Sequence, residues 1–430
     1  MSFKIHHAVI IFLSCFFSLT TGIAQNVEKI YLPNIKTAQL FSYGNQQSLP
    51  VYTLNSSDRL ELEFDDLEGS VKSYYYTFVL CDYNWVPVNL SAFDYIKGFT
   101  QNRITTYRYS SIALTRYTHY QAFLPDRNSV PSRSGNYLLK VFLDGDTSKV
   151  AFTKQMLVLE QKASVSGAVV QPFSAQLFNT HQKLRMSVNI SGINSFSAAQ
   201  QVKVVILQNN RWDNAQRDIP PTFVRGNVLE YNTENNAIFA AGKEWRWLDL
   251  RSFRLQSDRV DSAAYHKNAT DMYVKTDIDR NGQRYLYFPD YNGMFNIISY
   301  ESMNPFWQGD YATVHFSLST VDGNPYPKRN VYLAGHFTGY ELSDTWKMKF
   351  NTETGRYETA TMMKQGYYNY TYLCTDVDNP KKMTDLEGNY WETENSYTIL
   401  VYYKSFTDRS DQLIGVGSIN SRNDRPGFSF

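Results

Sequence analysis

Chemistry-bearing side chains are few and scattered among the 430 residues of this chain. Seven are histidines. Beyond residue 24 these are His119, His181, His266, His315 and His336, and no two stand at metal-ligand spacing. His119 lies in Tyr117-Thr118-His119-Tyr120, and we read it as a structural histidine among aromatics rather than a proton shuttle. Asp65 and Asp66 are adjacent. Neighbours on a strand point to opposite faces, so they cannot flank one bond as an acid and base pair. Asp277-Ile278-Asp279-Arg280-Asn281-Gly282 supplies oxygens at the first, third and fifth positions of a calcium loop. The bidentate Glu such a loop needs at its twelfth position is here Phe288. Asp277, Asp279 and Asn281 are therefore the metal-ligand candidates, and a plain turn is the reading we take. H-E-x-x-H, G-x-S-x-G, C-x-x-C and G-x-x-x-x-G-K-[ST] do not occur. We expect no catalytic residue, no cofactor and no enzyme activity.

Two aromatic clusters stand out. Arg211 and Trp212 sit in Gln208-Asn209-Asn210-Arg211-Trp212-Asp213-Asn214, and Trp245 and Trp247 flank Arg246. Arginine beside tryptophan is the composition of binding hot spots. Arg211, Trp212, Trp245 and Trp247 are thus interaction candidates. The alternative is cation–π stacking that staples a loop to its own domain.

Composition bounds what can position these groups. The chain has 42 Lys+Arg against 41 Asp+Glu. A nucleic-acid binder would show a basic excess. Aromatics make up 16% and suit pleated strands. Mean hydropathy is −0.43, which excludes a multi-span helical membrane protein. Cys81 and Cys374 read as buried thiols, and a bridge between them stays open.

The N-terminus reads as an address. Lys4, His6 and His7 precede an apolar run over 8–19, and Gly22-Ile23-Ala24 offers a small-x-small exit. This pattern is a secretory signal peptide, and the run is too short to span a bilayer. Cleavage is expected between Ala24 and Gln25. Cys15 follows Phe12-Leu13-Ser14, which fits a lipoprotein site poorly.

Period-two alternation runs through the rest. Leu60-Glu61-Leu62-Glu63-Phe64 alternates apolar and acidic, and 184–190 and 311–318 alternate likewise. Such strands put one face in a core and one in water. Asp144-Gly145, Asn281-Gly282, Asn292-Gly293 and Asp322-Gly323 mark turns, because glycine accepts the positive φ of a tight reversal. No run of 12 or more residues carries a clean helical stripe. The fold class is all-β, as tandem β-sandwiches of immunoglobulin-like or E-set-like type. Small, polar residues over 160–172 and the prolines over 320–330 suggest boundaries. The expected division is a signal peptide 1–24 and domains 25–160, 161–325 and 326–430.

The motifs also resemble a known family. Phe64-Asp65-Asp66-Leu67, Cys81-Asp82 with Trp85, Tyr95 with Gly98-Phe99, Tyr117-Thr118-His119-Tyr120 and Ser134-Gly135-Asn136-Tyr137 come first. Gln208-Asn209, Arg211-Trp212-Asp213-Asn214 and Pro221-Thr222 follow. Lys364-Gln365-Gly366-Tyr367-Tyr368-Asn369-Tyr370, Thr393-Glu394-Asn395, Val401-Tyr402-Tyr403 and Leu413-Ile414-Gly415 complete the series. In this order they resemble the plug protein family of the type IX secretion system of Bacteroidota. Two positions depart from it: Leu80 stands where that family has His, and Asn210 where it has Gly. The resemblance implies a periplasmic, non-enzymatic β-domain protein at the inner face of the outer membrane, with no membrane span of its own. It also implies a partner, the outer-membrane translocon barrel called SprA or Sov, whose periplasmic mouth the protein closes while no substrate is engaged.

The region from Val331 through Phe337 to Trp346 is similar to the immunoglobulin-like fold of glycogen- and starch-binding modules. Tyr340 stands where those modules usually carry Trp. The alternative function is therefore a secreted or periplasmic carbohydrate-binding β-sandwich protein, with Trp346 or Tyr340 as its stacking platform.

Overall fold

The computed structural model describes residues 27–424. The expected leader, its Ala24–Gln25 cleavage point and Cys15 lie outside the described residues. Within them nearly all regular secondary structure is strand. The α-helices are single turns, Ala198–Gln201 and Pro305–Gln308.

The first sandwich grows from the apolar positions of Leu60–Asp66. This strand lies between Ile35–Ser42 and Thr118–Leu124, and Thr106–Tyr109 closes the sheet. Leu60, Leu62 and Phe64 face Tyr74, Phe78, Leu139, Val141, Phe152 and Val158 of the opposing sheet. Burying each such side chain stabilises by roughly 1.5–3 kcal/mol. A one-residue slip would swap all three for Glu61, Glu63 and Asp65, so the register is fixed. Tyr74–Cys81, Gly135–Leu143 and Val150–Leu159 form that opposing sheet. Asp144 and Gly145, both at positive φ, make the expected reversal between the last two. The Asn281-Gly282, Asn292-Gly293 and Asp322-Gly323 turns also carry positive-φ glycines, but each joins segments that do not pair as a hairpin.

The opposing sheet does not end with the first sandwich. Leu159 pairs in parallel with Leu413, and Gln412–Asn420, Ser396–Tyr403 and Val202–Gln208 extend it to nine strands. These strands back a second core with Ser164–Val170, His181–Asn189 and Val228–Tyr231, built on Leu184, Val188, Val204, Ile399 and Ile414. Ser396–Tyr403 thus returns to pair with Val202–Gln208, and Gln412–Asn420 bridges it to Leu159.

A third sandwich sets Val260–Tyr265, Thr270–Val274, Tyr311–Ser319 and Arg356–Lys364 against Arg246–Asp249, Tyr367–Asp376 and Arg329–Ala334. Strand pairing therefore crosses the expected bounds at about 160 and about 325, and residues 246–376 share one core.

Cys81 and Cys374 are free and buried in different sandwiches. Burial pushes the Cys81 thiol up to about 12, which leaves it unreactive at neutral pH.

Candidate functional site

The acidic face of Leu60–Asp66 does not meet water, as alternation alone implies. All seven residues of the strand are buried. Register places His119 beside Asp65 and Gln121 beside Glu63. His119 holds a carboxylate on each ring nitrogen: Nδ1 lies 2.8 Å from Asp65 Oδ1 and Nε2 lies 2.6 Å from Glu63 Oε2. The second contact is a charge contact rather than an aligned hydrogen bond. Gln121 Nε2 donates to Glu61 Oε1 at 2.9 Å and to Glu63 Oε1 at 2.7 Å.

The third sandwich covers this face. Register pairs Tyr311 with Lys364 at the end of its central antiparallel strand pair. Lys364 Nζ reaches Asp65 Oδ2 at 2.5 Å, and Tyr311 Oη donates to the same oxygen at 2.5 Å. Phe306, on the Pro305–Gln308 turn, stacks over the His119 ring. Around this centre Tyr117 Oη donates to Gly309 O, and the Asp310 carboxylate accepts from Leu114 N and Thr115 N. Gln46 exchanges two hydrogen bonds with the Ile297 backbone.

The electrostatics follow from burial. Burial would raise the Asp65 carboxyl, but the Lys364 ammonium and the His119 contact outweigh it and hold it below the ordinary range. Burial lowers Lys364 against the pull of Asp65. Burial would lower His119, but its contacts with the Asp65 and Glu63 carboxylates outweigh it and hold it above its ordinary value. Burial raises Glu63 to about 7, with His119 opposing. The result is a sealed ion cluster joining the first sandwich to the third.

The sequence-derived interaction candidates form a second joint. Asn209 and Asn210 both take positive φ, at 56° and 57°. Asparagine tolerates this region better than other side-chain-bearing residues, which explains how Asn210 replaces the family's glycine. The turn is tied to Ser396 and Asn395 by Asn209, and Asn210 Oδ1 accepts from Thr398 Oγ1. Trp212 packs edge-on against Trp85 of the first sandwich, ring centroids 5.0 Å apart. Arg211 pairs with Asp213 and lies 4.4 Å over the Tyr340 ring and 5.8 Å from Trp245. Trp245 is buried, and Trp247 is half-buried against Phe288. One short loop thus touches all three sandwiches, and most of these ring faces are covered from within.

Another family-like constellation meets at Asn136. Its Nδ2 donates to Asp82 O and its Oδ1 accepts from Tyr402 Oη at 2.7 Å. Leu80, standing in for the family's histidine, is fully buried in the first core.

The metal-ligand candidates are engaged by protein groups. Asp277 is buried and pairs with Arg246 at 2.8 Å and Arg259 at 2.5 Å. Tyr370 and Tyr372 hydroxyls donate to its second oxygen. Asp279 accepts from Asn281 N and Tyr326 Oη. Two guanidinium groups occupy the place a cation would take on Asp277. Among the described residues no group of three or more His, Cys, Asp or Glu has an arrangement that could hold a metal ion. Tyr340, a candidate sugar platform, is buried beneath Arg211. Trp346 is half-buried, edge-to-face with Phe337.

Sequence reasoning placed His119 among aromatics, yet missed Glu63, Asp65, Tyr311 and Lys364 as its cluster. The available signal was the acidic alternation of 61–65 itself. Three carboxylates on one strand face demand either water or buried cations.

The architecture defines a chain of β-sandwiches fastened to one another by buried polar joints. The profile of the type 9 secretion system plug protein 1st domain matches residues 35–160. The chain belongs to the type IX secretion system plug family. The crystal structure of a hypothetical protein from Parabacteroides merdae ATCC 43184 is similar over 91% of this chain and 98% of that one, at 30% identity and a TM-score of 0.87. Dimeric latent PorU from Porphyromonas gingivalis matches at 10% identity and a TM-score of 0.16, over 90% of this chain and 34% of that one. That likeness is too slight to carry an argument. A search of curated proteins returns no significant match.

Proposed function

We propose that this chain is a non-enzymatic component of the type IX secretion system. It binds the periplasmic opening of the outer-membrane translocon barrel, of SprA or Sov type, and closes it while no substrate is engaged. The observation that carries this reading is the plug-family first domain over residues 35–160. Geometry supports it. A stopper for a wide pore must not deform, and the Asp65–Lys364 cluster and the Arg211–Trp212 loop hold the sandwiches as one body. The relay-like Glu63–His119–Asp65 set is sealed between two sheets and has no substrate access. The protein works in the periplasm after its leader is cut near Ala24–Gln25.

Co-purification from solubilised outer membranes tests this. The barrel should be recovered with the tagged full chain, and deletion should admit large antibiotics that the outer membrane normally excludes. Recovery only as free periplasmic protein, with no crosslink to a pore, would contradict it. The carbohydrate-binding alternative predicts glycan binding lost on Trp346→Ala. The covered Tyr340 ring leaves it without half of its platform.

A further inference from the structure

The nine-stranded sheet gathers several loops at one end. Cys81 pairs with Asn136, Gly135 with Val158, Leu159 with Leu413, Gln412 with Tyr403 and Tyr403 with Val202. The loops leaving these positions therefore stand side by side: 82–95, 132–134, 160–163, 404–411 and 191–201. Hydrogen bonds stitch them together. Arg133 donates to Asp94 O and Asp408 Oδ1, Arg409 to Asn89 O, and Lys404 N to Gln201 O. Gln201 in turn holds the backbone of 196 and 197 through its side-chain oxygen.

From this rim three phenylalanines project into water. Phe196 is 96% exposed, Phe93 79% and Phe406 69%. They come from three distant segments, and strand spacing sets the row at roughly 20–25 Å long. A single exposed phenylalanine needs no explanation, but three on one rim form a patch that marks an interaction site.

We infer that this rim is the face that seats against the translocon, its phenylalanines entering an apolar protein wall at the pore mouth. The inference rests on the reading above and adds the surface. Two observations select the occupant. First, these loops carry Arg133, Lys162, Lys404 and Arg409 against Asp82, Asp94, Glu160, Asp408 and Asp411, with Arg133 paired to Asp408 and Lys162 to Glu160. No net positive field is left to hold an anionic lipid surface. Second, a phenylalanine buries about 150–250 Å². Three give on the order of 600 Å² on this side, about 1,200 Å² over both partners, at the boundary of exchanging contacts and well below the roughly 2,000 Å² or more of an obligate dimer. A stopper that cargo must displace requires such a contact, whereas a permanent second copy does not.

The test uses the full chain with Phe93→Ser, Phe196→Ser and Phe406→Ser combined. A control combines Phe173→Ser, Leu255→Ser and Met303→Ser, which are equally exposed elsewhere. With melting and circular dichroism unchanged in both, the rim variant should lose translocon co-purification about a hundredfold, and the control should keep it. Equal retention by both variants overturns the assigned face. So does rim-dependent binding to phosphatidylcholine vesicles, or a dimer that the rim variant dissolves. A wild-type chain that never co-purifies overturns the translocon reading and this inference with it, and the control variant then distinguishes nothing.

Discussion

Asp65 and Lys364 stand 299 positions apart and meet in an ion pair of 2.5 Å with both side chains sealed from water. The pair is the centre of the contact between the plug-family first domain and the third sandwich. Desolvating two charges is expensive, and only close geometry with further hydrogen bonds offsets it. Here Tyr311, His119 and the Phe306 carbonyl supply those bonds.

Removing one partner should therefore be far worse than removing both. Lys364→Met leaves Asp65 buried without its cation and should cost about 3–5 kcal/mol. Adding Asp65→Asn to Lys364→Met should cost clearly less than the two single changes summed. Urea titration of the three variants measures this. Strict additivity would show that the pair does not join the units.

The pH dependence of stability follows from the carboxyls that burial raises. Glu63 and Glu244 lie at about 7 and Asp290 at about 6, each raised mainly by burial. A carboxyl that holds its proton more tightly when folded stabilises the fold below its unfolded value. That contribution is lost as pH climbs through the folded value. His119, also raised, acts with the same sign. Asp65, held low, acts oppositely and only in acid, where its stabilisation disappears as pH falls through the folded value. His336, which burial lowers to about 4, acts oppositely below its unfolded value, but the three raised carboxyls together outweigh it. Thermal melts should thus show higher stability at pH 5 than at pH 8, with roughly 2 kcal/mol as the Glu63 share. Glu63→Gln should shrink the difference. A flat profile between those pH values would refute the assignment.

Asn210 tests the turn at the second joint. Its φ of 57° admits glycine freely and a β-branched residue badly. Asn210→Val should cost about 1–2 kcal/mol more than Asn210→Gly. Chemical denaturation compares them, and equal losses would place the importance of Asn210 in its Thr398 hydrogen bond instead.

Asp277 separates a structural carboxylate from a calcium ligand. Asp277→Ala removes the carboxylate that Arg246 and Arg259 share, leaves buried Arg246 with Glu387 alone, and should destabilise by about 3–5 kcal/mol. Calorimetry of the wild-type chain should register no tight calcium binding. A tight calcium isotherm abolished by Asp277→Ala would reverse the reading.

The strands were legible in the sequence because period-two alternation is local. So was the divergence of Asp65 and Asp66: the first turns to His119 and Lys364, the second to Tyr74, Asn34 and Lys72. The acidic face of 61–65 was misread as a wet face because its cations come from elsewhere in the chain. No local pattern announces a lysine 299 residues away. The return of Ser396–Tyr403 to Val202–Gln208 was hidden for the same reason. Arg211 and Trp212 were flagged by residue type, but type alone does not tell an outward hot spot from an inward staple.

Planar-bilayer recording of the reconstituted translocon probes the proposed role most directly. Adding the purified full chain to the periplasmic side should abolish the open-pore current, and cargo should restore it. An unchanged conductance at saturating protein would contradict the plug account.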